Sequence, residues 1–504
     1  MGSFIFGQAE NTKGVVVASR AGSWGNSQNY ASVTCATSRT RHKIRRTCTN
    51  LVIGYSGFAY MGVFAVPSEL GVGNNWEIRA SLRLISSGTT EIATIPLYFN
   101  KLRLALVPNG RILYSDPVPI YLEEGQEFFI YTFANRLASA AYTCPSGQAG
   151  LLAANVSYWP RENGTRVDVA NTGWELGVGM QFSTSTGIDP FTLDLADAAY
   201  ASLVPTNQGC TSPTVILGDG LVAAAQKSVA LIGDSILAGA GDRNSARYTY
   251  SGLGYGYYYA SGQLPVVQTS LGGDGAQYKV DNYAYNFLNR FGLVEKCDIA
   301  YVALGTNDIV STRTAEQVEA DLVELGTQLK QRGIKKLVLA TVLPRTTTTD
   351  GWLTVANQTV TTTNSFNTKR ATLNAWILTI PAPFDAVVDL RSAVEDIATG
   401  KFLAAANTTA CTTAAGSTTS VINIASPTLV ASAHIGQQLA FGALSSQITA
   451  NTTNTITVSP AFSGSPGTGV TVTISDPMTG DGTHPSQYGH YQLGLALIAA
   501  NKFT

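Results

Sequence analysis

The sequence predicts an α/β fold: a three-layer α/β/α domain on a doubly wound parallel sheet, with a β-sandwich before it and a small β insertion within it. Three observations predict this arrangement. Short apolar runs alternate with helical patterns between residues 206 and 402. Residues 46–205 show period-two alternation and no helical period. Residues 403–475 contain no Asp, Glu, Lys or Arg.

The length and composition of the chain limit the number of domains and the kinds of binding partner. The chain has 504 residues, which is too many for one core, so two or three domains are expected. Hydrophobic residues make up 45% and charged residues only 13%, about half the usual charged share. The net charge of −1 gives no bias toward nucleic acid or an anionic membrane, so we expect no nucleic-acid partner.

The surface must be solubilised mainly by uncharged polar side chains, which suits extracellular or virion proteins. No segment reaches the roughly 18 apolar residues that span a bilayer, and no secretory signal is visible in residues 1–8. Because of its uncharged polar surface, we favour an extracellular or virion-associated location over the cytoplasm. Cys35 and Cys48 either pair or remain, with the other four cysteines, unpaired.

Residues 1–45 are predicted to form an N-terminal arm. Alternate positions 39, 41, 43 and 45 are basic, so they would share one face of a strand. We interpret this strand as a solvated edge, with an anion or acidic-glycan patch as the alternative. Residues 46–205 are predicted to be a jelly-roll-like β-sandwich, because four segments alternate with period two or flank a turn: 77–84, 102–107, 117–122 and 128–133.

The α/β domain is expected in two pieces, 206–402 and 476–504. Helices are predicted at 314–332 and 364–380, where apolar residues recur at helical spacing. The predicted strands are 228–232, 264–269, 298–304, 336–343 and 386–390. In such sheets the functional site lies beyond the carboxyl ends of the strands. The charge-free insertion, 403–475, has regular β-branched alternation and is predicted to fold as a small β module.

Four short motifs carry chemistry, and the first three follow predicted strands. They are Gly233-Asp234-Ser235, Gly272-Gly273, Gly305-Thr306-Asn307-Asp308 and Asp481-Gly482-Thr483-His484. Together they supply a hydroxyl nucleophile, oxyanion donors and a carboxylate–imidazole pair, the groups needed for acyl transfer through a serine ester. A chymotrypsin-like protease would continue the first motif with two glycines, and an α/β-hydrolase elbow would have glycine at position 237, where this chain has leucine.

These motifs, in this order, resemble the blocks of the SGNH (GDSL) hydrolase family. The resemblance implies a flavodoxin-like sheet and a catalytic serine at Ser235. It also implies an oxyanion hole formed by the backbone N–H groups of Ser235 and Gly273 and the side-chain amide of Asn307. Gly272 is an alternative to Gly273, and both glycines together could form a plain turn. The chain departs from the family in lacking the asparagine that usually precedes this glycine.

The positions of the histidines also indicate which residue would be the general base. Of the four histidines, His484 has a carboxylate three residues upstream, Asp481, which would fix the imidazole tautomer. His490 falls where the C-terminal helix begins, so we interpret it as a packing residue. Asp234 is expected to buttress its turn, and Asp308 could be a helix N-cap.

The motifs predict a serine esterase that cleaves short acyl esters, with acetyl on a carbohydrate as the leading substrate and an acyl-enzyme intermediate. One alternative is a lipid, thioester or small aryl-ester hydrolase of the same fold. Another is a virion or cell-surface structural or adhesion protein that carries a hydrolase domain. No metal or organic cofactor is implied. A homo-oligomer is possible, and the insertion would wall the substrate groove or contact a neighbouring subunit.

A cluster of tyrosines interleaved with glycines, at positions 255 and 257–259, has two interpretations. The rings form either a sugar-stacking face near the site or part of the core.

Overall fold

The structure is a computed structural model. It describes residues 14–18, 24–25, 35–61, 68–71, 75–87, 90–136, 161–162, 179–183, 213–220, 227–242, 254–256, 264–281 and 288–503. The strands of the N-terminal part are β1 (Val15–Val16), β2 (Trp24–Gly25), β3 (Cys35–Lys43), β4 (Cys48–Ser56), β5 (Phe58–Met61), β6 (Ser68–Gly71), β7 (Trp76–Ser87), β8 (Thr90–Pro96), β9 (Ala105–Val107), β10 (Ile112–Tyr114), β11 (Glu127–Arg136), β12 (Arg161–Glu162), β13 (Gly179–Ser183) and β14 (Val215–Gly220).

Two of the N-terminal sheets enclose a common core, as expected for a sandwich. One sheet has the order β1-β14-β4-β10, and the other has the order β13-β3-β11-β7-β8 with β9 paired to β7. Ile53 and Tyr55 from the first sheet lie in one apolar cluster with Trp76, Leu82 and Ile130 from the second. Successive residues of a strand point to opposite faces, so alternate positions of β7 and β11 supply this core.

The N-terminal boundary and the edge-strand interpretation need correction. Strand β3 lies in the predicted arm, yet it pairs with β13 on one side and β11 on the other, so it is an interior strand. Arg39 is only 2% exposed, and its guanidinium carbon lies 4.8 Å from the centre of the Phe129 ring. Arg41 pairs with Glu127. The prediction of a solvated edge was wrong because aromatic rings and a carboxylate on the neighbouring strand cover these cations.

The sandwich also extends past its predicted end. Strand β14 falls in the stretch that the sequence assigned to the α/β domain, and it pairs with β4 instead. Its Val215 and Leu217 join the same apolar cluster as Phe291 of the α/β domain, so the two parts share a continuous core. Cys48 has a free and buried thiol, so the considered Cys35–Cys48 disulfide is not formed.

The α/β domain follows. Its strands are β15 (Val229–Gly233), β16 (Val266–Gln268), β17 (Ile299–Ala303), β18 (Lys336–Ala340), β19 (Thr346–Thr348), β20 (Gln358–Val360), β21 (Ala386–Val388), β22 (Glu395–Asp396) and β23 (Lys401–Phe402). Its helices are α1 (Ala276–Asp281), α2 (Leu288–Val294), α3 (Thr306–Val310), α4 (Ala315–Gln331), α5 (Phe366–Ile377), α6 (Arg391–Val394) and α7 (Gln487–Ala500), with a 3₁₀ turn at Thr363–Ser365. Within the described ranges, no helix is both long and apolar enough to cross a bilayer.

Five parallel strands form the central sheet in the order β16-β15-β17-β18-β21. Numbered along the chain, this is 2-1-3-4-5, the flavodoxin-like order. Side chains alternate between the two faces, so Ile232 and Val302 pack on one core while Leu231 and Tyr301 pack on the other. Helix α4 covers the first face with the apolar stripe predicted from the sequence, which is fully buried: Val318, Leu322, Leu325 and Leu329.

The charge-free insertion folds as a closed six-stranded barrel, which we call the barrel module. Its strands are β24 (Ala406–Thr413), β25 (Val421–Ser426), β26 (Gln438–Phe441), β27 (Leu444–Asn451), β28 (Thr455–Ser459) and β29 (Thr471–Asp476). The strands close in the order β24-β25-β28-β27-β26-β29 around their own apolar cluster, which includes Ile422, Ile448 and Ile474. The chain then returns to the α/β domain just before Asp481.

Candidate active site

The first three motifs meet at one edge of the central sheet. Ser235 follows β15, the glycine pair follows β16, and Asn307 lies at the start of α3 after β17. Because these three strands are parallel neighbours, their carboxyl ends lie at the same edge. The strand order reverses between β15 and β17, which is where doubly wound sheets bind ligands.

Ser235 is held in a tight turn. The Asp234 carboxylate accepts the backbone N–H of Ile236 at 2.8 Å, and the N–H of Ala238 donates to the Asp234 carbonyl at 3.0 Å. A Cβ at Gly233 would lie 2.6 Å from the Cβ of Leu237, so only glycine lets the turn fold this closely. Burial raises the pKa of Asp234 to about 7, although the Ile236 N–H opposes the shift.

Ser235, His484 and Asp481 form a continuous chain of hydrogen bonds. The Oγ atom of Ser235 lies 2.9 Å from Nε2 of His484, and Nδ1 of His484 lies 2.7 Å from Oδ2 of Asp481. The other carboxylate oxygen, Oδ1, accepts the backbone N–H groups of Thr483 and His484, both at 2.8 Å. The carboxylate is thereby fixed in orientation, and it fixes the imidazole in turn.

Asp481 and His484 are open to solvent: their side chains are 55% and 28% exposed. Partial burial raises the pKa of the Asp481 carboxyl, but the hydrogen bonds from the imidazole and backbone of His484 outweigh it and hold the pKa below its usual value. Asp481 is therefore an anion at neutral pH.

Glycine is required between these two residues. Gly482 has a φ of 79°, and a Cβ there would overlap the carbonyl oxygen of Thr346 and lie 2.9 Å from Cζ2 of Trp352. The Gly482 carbonyl accepts the N–H of Thr346 at 2.9 Å. The hydroxyl of Thr479 accepts the N–H of Gly482 at 2.9 Å and donates to the carbonyl of His484 at 2.7 Å. The 481–484 loop is thus braced against the β19–β20 hairpin.

The glycine pair faces Ser235. A Cβ at Gly272 would have only one atom within 4 Å, the Cβ of Ser235 at 3.9 Å, and Gly273 has a φ of 80°. The backbone N–H groups of Ser235, Gly272 and Gly273 donate to no acceptor in the part of the chain that the structure describes. Three backbone donors are therefore unused in the Ser235 turn and the neighbouring glycine pair, and both glycines remain candidates for the second oxyanion donor.

Asn307 is tied to the residue after the glycine pair. Its Nδ2 donates to the Asp274 carbonyl at 2.9 Å, and the second N–H of the amide has no acceptor within the described ranges. The neighbouring Asp308 carboxylate accepts the N–H groups of Ala276 and Gln277, both at 3.1 Å. Asp308 therefore caps α1, an earlier helix, rather than α3. Burial raises its pKa to about 6, although these two N–H groups oppose the shift.

A buried ion cluster lies beside this turn. The Asp274 carboxylate binds Nζ of Lys279 and lies 2.6 Å from a terminal nitrogen of Arg290. All three side chains are at most 1% exposed. Sequence reasoning missed this cluster; the signal that could have revealed it is an aspartate directly after the glycine pair in a chain with few charges.

His490 packs in the core, as the sequence analysis interpreted it. Its Nδ1 accepts the N–H of Tyr255 at 3.2 Å, and its Nε2 lies 3.0 Å from the Ala240 carbonyl. Burial lowers the pKa of His490 to about 4. Tyr255 stacks on this imidazole and is 2% exposed, so its ring is not part of a sugar-stacking face. Tyrosines 257–259 lie outside the described residues.

A flavodoxin-like sheet with Ser, Gly, Asn and His at its carboxyl edge defines a class of hydrolytic enzyme, the SGNH (GDSL) hydrolases. Residues 231–408 match the family described as GDSL-like Lipase/Acylhydrolase. This part of the chain therefore carries a GDSL-like lipase/acylhydrolase domain, which supports an ester hydrolase of the SGNH type. The matched residues include Ser235, the glycine pair and Asn307, and they end before Asp481 and His484.

Several solved structures are similar to this chain. A possible lipase from Chitinophaga pinensis is 18% identical, with 55% of this chain and 97% of that chain covered and a TM-score of 0.29. A lipase from a goat rumen metagenome is 9% identical, with coverage of 54% and 97% and a TM-score of 0.29. A putative G-D-S-L lipolytic protein from Desulfitobacterium hafniense is 18% identical, with coverage of 35% and 83% and a TM-score of 0.26. No curated protein matches the sequence.

Proposed function

We propose that this chain is a serine esterase that removes short acyl groups, acetyl first among them, from a carbohydrate. One observation carries the proposal: a hydrogen-bonded chain runs from Ser235 through His484 to Asp481, and the backbone N–H groups of Ser235 and of the glycine pair have no acceptor among the described residues. A nucleophile, a base, an orienting carboxylate and donors for an oxyanion are the parts of a serine acyl-transfer site.

In the proposed mechanism the Ser235 hydroxyl attacks the ester carbonyl carbon, and Nε2 of His484 takes its proton. The Asp481 carboxylate accepts a hydrogen bond from the Nδ1–H group of His484 and stabilises the imidazolium. The oxyanion accepts hydrogen bonds from the backbone of Ser235, the backbone of Gly273 or Gly272, and the second amide N–H of Asn307. His484 then returns the proton to the leaving alcohol. Water, activated by the same imidazole, hydrolyses the acyl-enzyme and releases the free acid.

Two features favour a carbohydrate as the alcohol. The exposed fractions of Asp481 and His484 indicate an open site, which suits a polymer chain. The charge-free barrel module reaches the same loop: the nearest atoms to a Cβ at Gly480 belong to the Gln438 side chain of β26, at 3.8 Å. A surface of threonine, serine, asparagine and glutamine offers hydroxyl and amide groups that hydrogen-bond to sugars.

The test compares wild type with Ser235→Ala on two substrate classes: acetylated glycans, scored by acetate release, and p-nitrophenyl esters of increasing chain length. We expect Ser235→Ala to lose activity on both by at least about 10⁴-fold, because no other group replaces the nucleophile. Ser86→Ala, on the sandwich, is the matched control and should behave as wild type. Retained activity in Ser235→Ala would refute the mechanism. A preference for long acyl chains with no acetate release from glycans would favour the lipid-ester alternative.

A further inference from the structure

An arginine lies next to the candidate base. Arg345 follows β18, so it lies at the same sheet edge as Ser235 and Asn307. Its Nε donates to the hydroxyl of Thr483 at 3.0 Å, and Thr483 directly precedes His484. Its guanidinium carbon lies 5.5 Å from the centre of the Phe366 ring. One hydrogen bond and one aromatic ring thus fix the cation beside the site.

Most of the hydrogen-bonding capacity of Arg345 is unused. A guanidinium has five N–H donors, and only the Nε donor has an acceptor among the described residues. No carboxylate in the described ranges lies within ion-pair distance of it. Asp481 acts on Arg345 only through its charge, because both Asp481 oxygens already accept hydrogen bonds within the 481–484 loop. Arg345 is only partly buried, so a ligand can approach its guanidinium.

Exposed threonines lie on the hairpin that begins at Arg345. They are at positions 347 and 349, in or after β19, and 362 and 363, after β20, and we call them the threonine rim. The N–H of Thr361 donates to the Arg345 carbonyl at 2.9 Å, which closes the hairpin base. The carboxylate of Asp350, in the hairpin, is already engaged, because it accepts hydrogen bonds from Thr354 and Asn357.

We propose that Arg345 binds the carboxylate of an acidic sugar while the threonine rim binds sugar hydroxyls, so that the preferred substrate is an acylated anionic polysaccharide. This inference rests on the proposed esterase function. Carboxylates are the natural partners of the planar guanidinium fork, which can form two parallel hydrogen bonds with one carboxylate. The neighbouring barrel module has no charged residue between positions 403 and 475, and the Asp476 carboxylate at the end of β29 is buried and accepts hydrogen bonds from Asn407 and Gln437.

The experiment uses a matched pair of polymers: an acetylated polyuronate, and the same polymer after its carboxylates are converted to amides. The readout is the ratio of the two kcat/KM values for acetate release. We expect wild type to favour the anionic polymer by about tenfold at low salt, with the ratio falling as salt screens the ion pair. Arg345→Gln should bring the ratio close to one, and Arg345→Lys should retain part of the preference.

Lys330→Gln is the matched control. Lys330 pairs with Asp385 near the opposite edge of the sheet, so its loss should leave the ratio unchanged. Equal losses on both polymers in Arg345→Gln would overturn the proposal, because they would show that Arg345 only holds Thr483. Equal rates on both polymers in wild type would also overturn it while leaving the esterase function intact. Hydrolysis of p-nitrophenyl acetate without acetate release from either polymer would instead overturn the carbohydrate function itself.

Discussion

The two halves of the site are built differently. Ser235, the glycine pair and Asn307 are rooted in the ends of parallel strands and braced by the buried carboxylates Asp234, Asp274 and Asp308. Asp481 and His484 lie on an exposed loop beyond the family match, braced mainly by backbone contacts. The sheet-rooted half depends on ionisable groups in the core, whereas the loop half depends on close approach to the β19–β20 hairpin.

The hairpin connects the loop half to the barrel module. A Cβ at Gly351, in the hairpin, would lie 2.9 Å from the Cβ of Ala440 on β26. The N–H of Ala405 donates to the carbonyl of Leu353 at 3.1 Å, just before the barrel module begins. The indole N–H of Trp352 donates to the Thr346 hydroxyl at 3.0 Å. The inserted module therefore supports the surface on which Gly482 lies, and it thereby reaches the candidate base.

We expect the geometry of the loop half to be the more sensitive of the two to a substitution. Gly482→Ala places a methyl group on the Thr346 carbonyl, so the loop must shift by about an ångström or more. Displacement of a catalytic group by that distance costs on the order of 100-fold in rate. We expect kcat on p-nitrophenyl acetate to fall by at least about that factor, with a small change in Tm because the loop is at the surface.

The control for backbone strain is Gly469→Ala in the barrel module. Gly469 has a φ of 76°, close to that of Gly482, but a Cβ there would meet no atom within 4 Å. It should cost about 1 kcal/mol of stability and leave kcat near wild type. If Gly482→Ala also kept the wild-type kcat, close approach to the hairpin would not be what positions Asp481 and His484.

The sheet-rooted half should respond in both stability and rate. Asp274→Asn leaves the buried cations of Lys279 and Arg290 without their carboxylate, which costs about 3–5 kcal/mol. The same change loosens the turn whose carbonyl orients the Asn307 amide. We expect kcat to fall by about 10- to 100-fold with little change in KM, because the oxyanion contact proposed for Asn307 would act in the transition state.

Asp298→Asn is the control that separates the loss of stability from the loss of kcat. Asp298 is buried and accepts hydrogen bonds from Ser228, but it precedes β17 and so lies at the opposite edge of the sheet. We expect it to lower the free energy of unfolding without changing kcat. Should both variants lose stability and both keep kcat, the buried cluster would serve the core alone.

The features that could be predicted from the sequence are those that depend on local sequence pattern. Each of the five central strands lies inside its predicted range or one residue beyond it, because buried parallel strands appear as short apolar runs. The motif glycines were informative for the same reason: a positive φ at Gly273 or Gly482 is a local requirement. The stripe of α4 follows from helical spacing alone.

Non-local contacts could not be predicted in this way. The basic alternation of β3 was interpreted as a solvated edge because nothing in its own sequence reveals that β11 brings Phe129 against Arg39. The Asp274 cluster joins residues 274, 279 and 290 through the fold of a turn and two helices. The contact between Gly482 and Thr346 spans more than 130 positions of sequence, and it depends on a hairpin whose strands have only three residues each.

The smallest effect that we predict is on the pH dependence of stability, and it differs between Asp234 in the sheet-rooted half and Asp481 in the loop half. Burial raises the pKa of Asp234 to about 7, so the folded protein keeps a proton that the unfolded chain loses near its ordinary pKa of 3.8. The contribution of this group to stability is therefore complete below about pH 4 and is lost as pH rises through about 7. Asparagine mimics the protonated acid and does not titrate.

We therefore expect Asp234→Asn to raise Tm relative to wild type more at about pH 8 than at about pH 5, by on the order of 3 °C. Asp481→Asn should show the opposite trend. Its folded pKa is depressed, so its stabilising contribution is present above the ordinary carboxyl pKa and is lost as pH falls. Thermal melts check the contrast between about pH 8 and 5 for Asp234→Asn and between about pH 5 and 2 for Asp481→Asn, because the Asp481 contribution is lost only below the ordinary carboxyl pKa of 3.8. If Tm varied with pH in the same way in wild type and both variants, the burial of Asp234 and the hydrogen bonds of Asp481 would not control the pH dependence of stability.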